Sequence, residues 1–123
     1  MELEYSSEKL KLQCTNVKEA RRLFGGDAIL ATSLLARINA LQSAENIKDI
    51  IIQPTFRFHK LENKKNRNLE GYFAIDVKSR KEAWRIILQP LNEQKQPYIP
   101  CNIDQIAGSV RIIEITEVSK HYE

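Results

Sequence analysis

Hydrophobic positions recur with a helical period through the first half of this chain and with a strand period through the second. Residues 2–5 alternate polar and apolar, as a short strand does. Ser7 to Cys14 fits two patterns: Leu10, Leu12 and Cys14 alternate, yet Leu10 and Cys14 also sit one helical turn apart. Asn16, with Glu19 three residues on, forms a capping box that opens a helix. Its buried face is expected to be Val17, Ala20 and Phe24, with Lys18, Glu19, Arg21 and Arg22 in water. Gly25-Gly26 stops this helix, because glycine takes the left-handed terminal conformation cheaply. Asp27 caps the next one. Its stripe is Leu30, Leu34, Ile38 and Leu41, widened by Ala31 and Leu35, with Arg37, Gln42 and Glu45 off the stripe and an end expected near Asn46. The pair predicts a helical hairpin lying on a sheet.

Ile50 to Ile52 is an apolar run stopped by Pro54, and Thr55 to Leu61 reads as an extended lead-in. Asn63 to Asn68 is a polar, lysine-rich turn. Three strand signals follow. The first, 71–77, is rich in aromatic and branched residues. The second, 83–88, is apolar on both faces, which predicts a central strand ended by Pro90. The third, 109–118, carries Val110, Ile112, Ile113 and Ile115. Ser79 to Glu82 is the turn between the first two. The connection 91–108 is long for a small domain and is expected to be functional or partly helical. Helices first and strands afterwards read as α+β. With no repeat, low-complexity tract or linker, residues 1–123 are expected to be one domain.

Composition narrows the classes. The chain has 123 residues, 42% of them hydrophobic, enough for a core without disulfides or a metal. Cys14 and Cys101 lack paired spacing and read as free thiols. Two histidines and two scattered cysteines are too few to suggest a zinc site. The longest mostly apolar stretch, Ala28 to Leu41, is broken by Thr32, Ser33, Arg37 and Asn39, so no bilayer-spanning segment is expected. The acidic start Met1-Glu2-Leu3-Glu4-Tyr5 does not read as a signal peptide, and the expected location is cytoplasmic. Net charge is +3, but Arg57, Lys60, Lys64, Lys65 and Arg67 stand against one anion, Glu62, in residues 57–67. That segment is net +4 and the rest of the chain sums to −1. Such a cluster suits phosphate binding, and equally a solvated basic loop.

Three places carry candidate chemistry: Arg57-Phe58-His59-Lys60, Arg85 inside the apolar central strand, and the C-terminal Lys120-His121-Tyr122. A guanidinium in a central strand must find a carboxylate or face a site. Asp76 on the neighbouring strand is the expected partner, and phosphate is the functional alternative. Trp84 alternates with Ile86 and Leu88 and reads as core. His59 and His121 have cations beside them, and each sits at a strand end that a sheet can bring together. Two imidazoles, an arginine and a phenol around one phosphate suit RNA cleavage. One group takes the proton of a ribose 2′-hydroxyl, cations stabilise the phosphorane, and another protonates the leaving oxygen. Nucleotide-binding glycine loops, HExxH and GxSxG are absent.

These residues resemble the RelE/ParE toxin superfamily, and within it the HigB branch of plasmid maintenance killer proteins. Arg57-Phe58-His59-Lys60-Leu61 is similar to the branch's Arg-x-His-x-Leu segment before a basic turn. Gly71-Tyr72-Phe73-Ala74-Ile75-Asp76-Val77 looks like the strand that follows. Trp84-Arg85-Ile86-Ile87-Leu88-Gln89-Pro90 is similar to its aromatic-Arg-hydrophobic strand. Val110-Arg111-Ile112-Ile113-Glu114-Ile115 is similar to the last strand, which runs into a tail rich in His and Tyr. The resemblance spans nearly the whole chain.

The resemblance implies a RelE-like fold, with an N-terminal strand and helical hairpin on one face of a small antiparallel sheet, and a short helix for Ser7 to Cys14. It implies a type II toxin: a ribosome-dependent, metal-independent mRNA endoribonuclease without cofactors. Its partner would be a co-expressed antitoxin, a helix-turn-helix protein through which alone it meets operator DNA. By position, His59, Arg85, His121 and Tyr122 become catalytic candidates. Arg57, Lys60, Lys64, Lys65, Arg67 and Lys120 become RNA contacts. The tail departs from the branch, which commonly ends in an acidic residue followed by Tyr-His; here the order is inverted and no acid is adjacent. Two other classes stay open: a ParE-like toxin that acts on DNA gyrase without cleavage residues, and an RNA-binding protein without catalysis.

Overall fold

The computed structural model describes residues 1–64 and 67–122. The chain runs β1 (Glu2–Tyr5), α1 (Glu8–Thr15), α2 (Val17–Leu23), α3 (Ala28–Ser43), α4 (Lys48–Ile51), β2 (His59–Lys60), β3 (Phe73–Asp76), β4 (Arg85–Leu91), α5 (Ile103–Ile106) and β5 (Ile112–Ser119). Single 3-10 turns lie at Pro54–Phe56 and Ala107–Ser109. This is an α+β fold.

Side-chain caps start the first three helices. The Ser7 side chain accepts from the Leu10 N–H and opens α1, which fixes the ambiguous segment as helix with Leu10 and Cys14 buried. Asn16 accepts from Glu19 N–H at α2, and Asp27 accepts from Ile29 and Leu30 N–H at α3. The Glu19 side chain turns instead to Arg22, 3.0 Å away. Gly25 and Gly26 take φ of 63° and 95° between α2 and α3, the conformation that ends a helix. Val17 does not join the buried face of α2; it is 61% exposed, while Ala20 and Phe24 are buried. The expected stripe of α3 is buried, and the helix stops at Ser43, short of Asn46. The run ending at Ile52 coils into the short α4, and the lead-in at 55–61 begins with a 3-10 turn before extending.

The five strands lie in the order β1-β5-β4-β3-β2. β1 runs parallel to β5, and the other neighbours are antiparallel. The sheet is therefore mixed, where a purely antiparallel one was expected. A hairpin dictates antiparallel pairing, but β1 and β5 come from opposite ends of the chain and no hairpin links them. Pro90 does not end β4, which continues to Leu91. β3 stops pairing at Leu88, so Pro90 has no β3 residue to donate to and keeps only its partner Ile113 on β5.

One sheet face carries Phe73, Ile75, Ile86, Leu88, Ile113 and Ile115 into the main core, against Leu10, Ala20, Leu34, Ile38 and Leu41 of the helices. Trp84 is half-buried at its margin, edge-on to Phe24 with ring centroids 4.9 Å apart. The other face holds a small second cluster: Leu61, Leu69, Ala74, Ile87 and Tyr122. Among the described residues no helix is long and apolar enough to cross a membrane.

Two expectations follow. Leu34 is fully buried, so Leu34→Ala should cost about 2–5 kcal/mol in chemical denaturation, while Val17→Ala should change stability by less than about 0.5 kcal/mol. Burial pushes the Cys14 thiol from 9.0 up to about 12, and burial with help from Cys14 pushes the Tyr5 phenol from 10.0 up to about 12. Both raised values favour the neutral group in the folded state, so their stabilisation is complete below pH 9 and is lost as pH rises toward 12. Denaturation midpoints should fall across that window, and Cys14→Ala should flatten the fall.

Candidate functional site

The second sheet face is organised from the end of β3. Strand alternation sends Asp76 to the same side as Ala74, away from the helices. Its carboxylate is 2% exposed and takes two guanidinium groups. Arg57 Nη2 lies 3.0 Å from Oδ1, with Nε 3.1 Å from both carboxylate oxygens. Arg85 Nε lies 3.2 Å from Oδ1. Asp76 is thus the expected partner of Arg85, and Arg57 shares it. The Arg85 head also donates to the carbonyls of Ser79 at 3.4 Å, Arg80 at 3.0 Å, Trp84 at 2.9 Å, and Glu82. It binds the turn between β3 and β4 to the sheet. A third arginine arrives from the helical layer. Arg37 Nε donates to the carbonyls of Asp76 and Val77, its Nη2 to those of Thr55 and Lys78, and its guanidinium lies 4.6 Å from the Phe56 ring centroid. Burial lowers its pKa, and the charge of Asp76 pulls it back up.

Arg57 takes φ 49°, a left-handed conformation costly for a side chain with Cβ, at the end of the 3-10 turn. That bend feeds β2, where His59 pairs with Ala74 and Lys60 with Phe73. His59 therefore lies on the Asp76 side of the sheet. Its Nδ1 is 2.7 Å from the Arg57 carbonyl, which can only accept, so Nδ1 carries the hydrogen. In the neutral ring Nε2 then holds the lone pair, and this atom is buried with no hydrogen-bond partner among the described residues. His59 lines a 260 Å³ cavity with Arg57, Lys60, Leu61, Glu62 and Lys64.

The tail delivers its phenol to this face and leaves its imidazole outside. Tyr122 is 5% exposed and packs in the cluster with Leu61, Ala74 and Ile87. The Lys64 ammonium and Arg67 guanidinium each lie 5.3 Å from its ring centroid. Lys64 Nζ also donates to the His121 carbonyl at 3.0 Å, which ties the β2–β3 turn to the tail. Burial raises the Tyr122 pKa above 10.0; the nearby Glu117 carboxylate adds to the rise, and Arg67 offsets part of it. His121 is exposed, with its N–H donating to Ser119 Oγ at 3.0 Å. Lys120 leans the other way, 5.9 Å from the Trp84 ring. His59, paired with Ala74, and Tyr122, packed on Ala74, share this sheet face, while the His121 imidazole, expected there too, is exposed. Lys65 lies outside the described residues.

This face is basic on one side only. Arg57, Lys64 and Arg67 stand toward β2, while Glu117 and Glu114 on β5 and Glu2 and Glu4 on β1 form an acidic side, with Lys95 Nζ 2.8 Å from Glu2 and 3.2 Å from Glu4. Tyr122 stands between two cavities. One, of 420 Å³, is lined by Arg57, Arg80, Lys81, Ala83 and Arg85. The other, of 340 Å³, is lined by Arg67, Asn68, Leu69, Tyr72, Ile87, Thr116 and Glu117. Arg80, Lys81 and Glu117 were not singled out in the sequence; the cations Lys78, Arg80 and Lys81 in one short turn were the available signal. Among the described residues no group of three His, Cys, Asp or Glu side chains is placed to hold a metal ion.

Asp76→Ala would leave two guanidinium groups without their shared carboxylate, and should destabilise the fold by about 3 kcal/mol in chemical denaturation. A loss below about 1 kcal/mol would show that the arginines find equal partners elsewhere. No family model, curated protein or solved structure matches this chain.

Proposed function

We propose that the protein is a toxin of the RelE/HigB kind that cleaves mRNA on the ribosome and is held in check by a helix-turn-helix antitoxin. The observation that carries this reading is the convergence on one sheet face of a histidine with an uncommitted ring nitrogen, a docked phenol and cations from two separate turns. His59 comes from β2, Tyr122 from the tail, Lys64 and Arg67 from the turn after β2, and Arg80 and Lys81 from the turn after β3. Cations at this density suit a phosphodiester chain, and a phenol and an imidazole on one face supply two proton carriers.

In the reaction, His59 Nε2 takes the proton of a ribose 2′-hydroxyl. The freed 2′-oxygen attacks the adjacent phosphorus, and the bond from phosphorus to the 5′-oxygen breaks. The leaving oxygen takes a proton from Tyr122, with His121 as the alternative donor from the exposed tail. Products are a 2′,3′-cyclic phosphate and a 5′-hydroxyl, so atoms and protons balance. Lys64 and Arg67 offset charge on the phosphorane. Arg85 acts as a positioning residue, through Asp76 and the turn that presents Arg80 and Lys81. The cover over His59 Nε2 must part for a ribose to reach it. The same cover favours a second reading, a protein that binds RNA through these cations and does not cut it.

Induced expression in bacteria should stop growth within a few generations and give mRNA cuts that end in 5′-hydroxyls. His59→Ala and Tyr122→Phe should each lower cleavage by about 10²-fold or more and restore growth, with melting curves confirming folded variants. A folded double variant of full toxicity would remove this mechanism. RNA binding that weakens with salt, without any cuts, would select the second reading.

A further inference from the structure

We infer that the 340 Å³ cavity beside Tyr122 receives an unpaired guanine of the RNA strand, with Glu117 reading its Watson–Crick edge. The inference rests on the reading of this face as an RNA site and names what it selects. A pocket of that volume falls in the range that small ligands occupy. Its make-up fits a nucleobase. Leu69 and Ile87 give an apolar floor, Tyr72 and Tyr122 give aromatic surfaces, and Arg67 adds a guanidinium plane. Unpaired RNA bases are held by such stacking and are read through hydrogen bonds at their edges.

Tyr122 lines both this cavity and the basic one holding Arg80 and Lys81. A base on one side of that ring and its phosphate on the other are joined by one ribose, so a single nucleotide spans the pair of cavities. The anionic Glu117 settles which base is favoured. A carboxylate only accepts hydrogen bonds, and its two oxygens have about four acceptor positions. Guanine presents a ring N–H and an amino group side by side, two parallel donors for one carboxylate. Adenine and cytosine present an amino group beside a ring lone pair. Uracil presents one N–H between two carbonyl oxygens, which the carboxylate repels.

The test uses the full chain and pentamers of 2′-O-methyl RNA, UUNUU with the central base varied, which cannot be cut through a 2′-hydroxyl. The G pentamer should bind about tenfold tighter than the U pentamer, with A and C between. Glu117→Gln should bring all four within about twofold of each other. Tyr72→Ala should weaken all four without changing their order. Equal binding of G and U by the unaltered protein overturns the inference and needs no variant; so does a G preference that survives Glu117→Gln. Base-selective binding while unmodified RNA stays intact would keep the pocket and remove the nuclease. Cleavage of unmodified RNA with no preference among the four pentamers would keep the nuclease and remove the pocket.

Discussion

Asp76 is the constraint on which the rest of this structure depends. A carboxylate at 2% exposure is tolerable only if its charge is met, and here it is met by two guanidinium groups at 3.0–3.2 Å. Each arginine carries a different piece of chain with it. Arg57 brings the bend that starts β2 and thereby places His59. Arg85 brings the carbonyls of the β3–β4 turn and so holds Arg80 and Lys81 at the rim of a cavity. Arg37, bonded to the Asp76 carbonyl, locks the long helix of the other layer to the same point. The site is therefore built on a single buried anion. Replacing such a group with an apolar residue of similar volume need not cost stability if its partners go too. What would be lost is the registration of the Arg57 bend and the β3–β4 turn on β3.

The two faces of the sheet divide the work. The helical side buries large aliphatic residues and fixes the fold. The opposite side has too few apolar groups to be a core: Leu61, Leu69, Ala74 and Ile87 form a small patch that Tyr122 covers. A tail residue held by so small a cluster gains from the two cations over its ring and from the Lys64 bond to the preceding carbonyl. Those same cations are the ones the proposed reaction needs at a phosphate. Tail docking and the proposed RNA binding would thus draw on one set of charges, with an incoming phosphate competing with the phenol for them.

The fold was largely legible because periodicity and caps are local. Asn16, Asp27 and the stripe from Leu30 to Leu41 mark the helical hairpin without any knowledge of the sheet. The Asp76–Arg85 pair was also legible, since two adjacent strands with one opposite charge each leave little choice. Arg57 was harder to place, because its reach to Asp76 depends on a left-handed bend that no side-chain pattern announces. Arg37 looked like a solvated position on its helix, and only the approach of β3 gives it a purpose. Which tail residue turns inward was not legible, since three residues past a strand have no period to extend; Tyr122 is buried and His121 exposed.

Glu117 shows most clearly what alternation cannot reveal. β5 carries a register shift where it passes Ile87 and Leu88 of β4. Ile115 pairs with Leu88 and faces the helices, yet the next pair is Glu117 with Ile87, so Thr116 is the extra residue. Its hydroxyl donates to the Ile87 carbonyl at 3.2 Å. One inserted residue reverses the parity of everything after it. Without the bulge, Val118 would point to the open face and Glu117 into the helical core. With it, Val118 faces the core opposite Ile86, while Glu117 and Ser119 turn to the site. The Glu117 carboxylate that lines a cavity with Tyr122 is there because of an irregularity in strand pairing, and so is the Ser119 hydroxyl that accepts from the His121 backbone N–H.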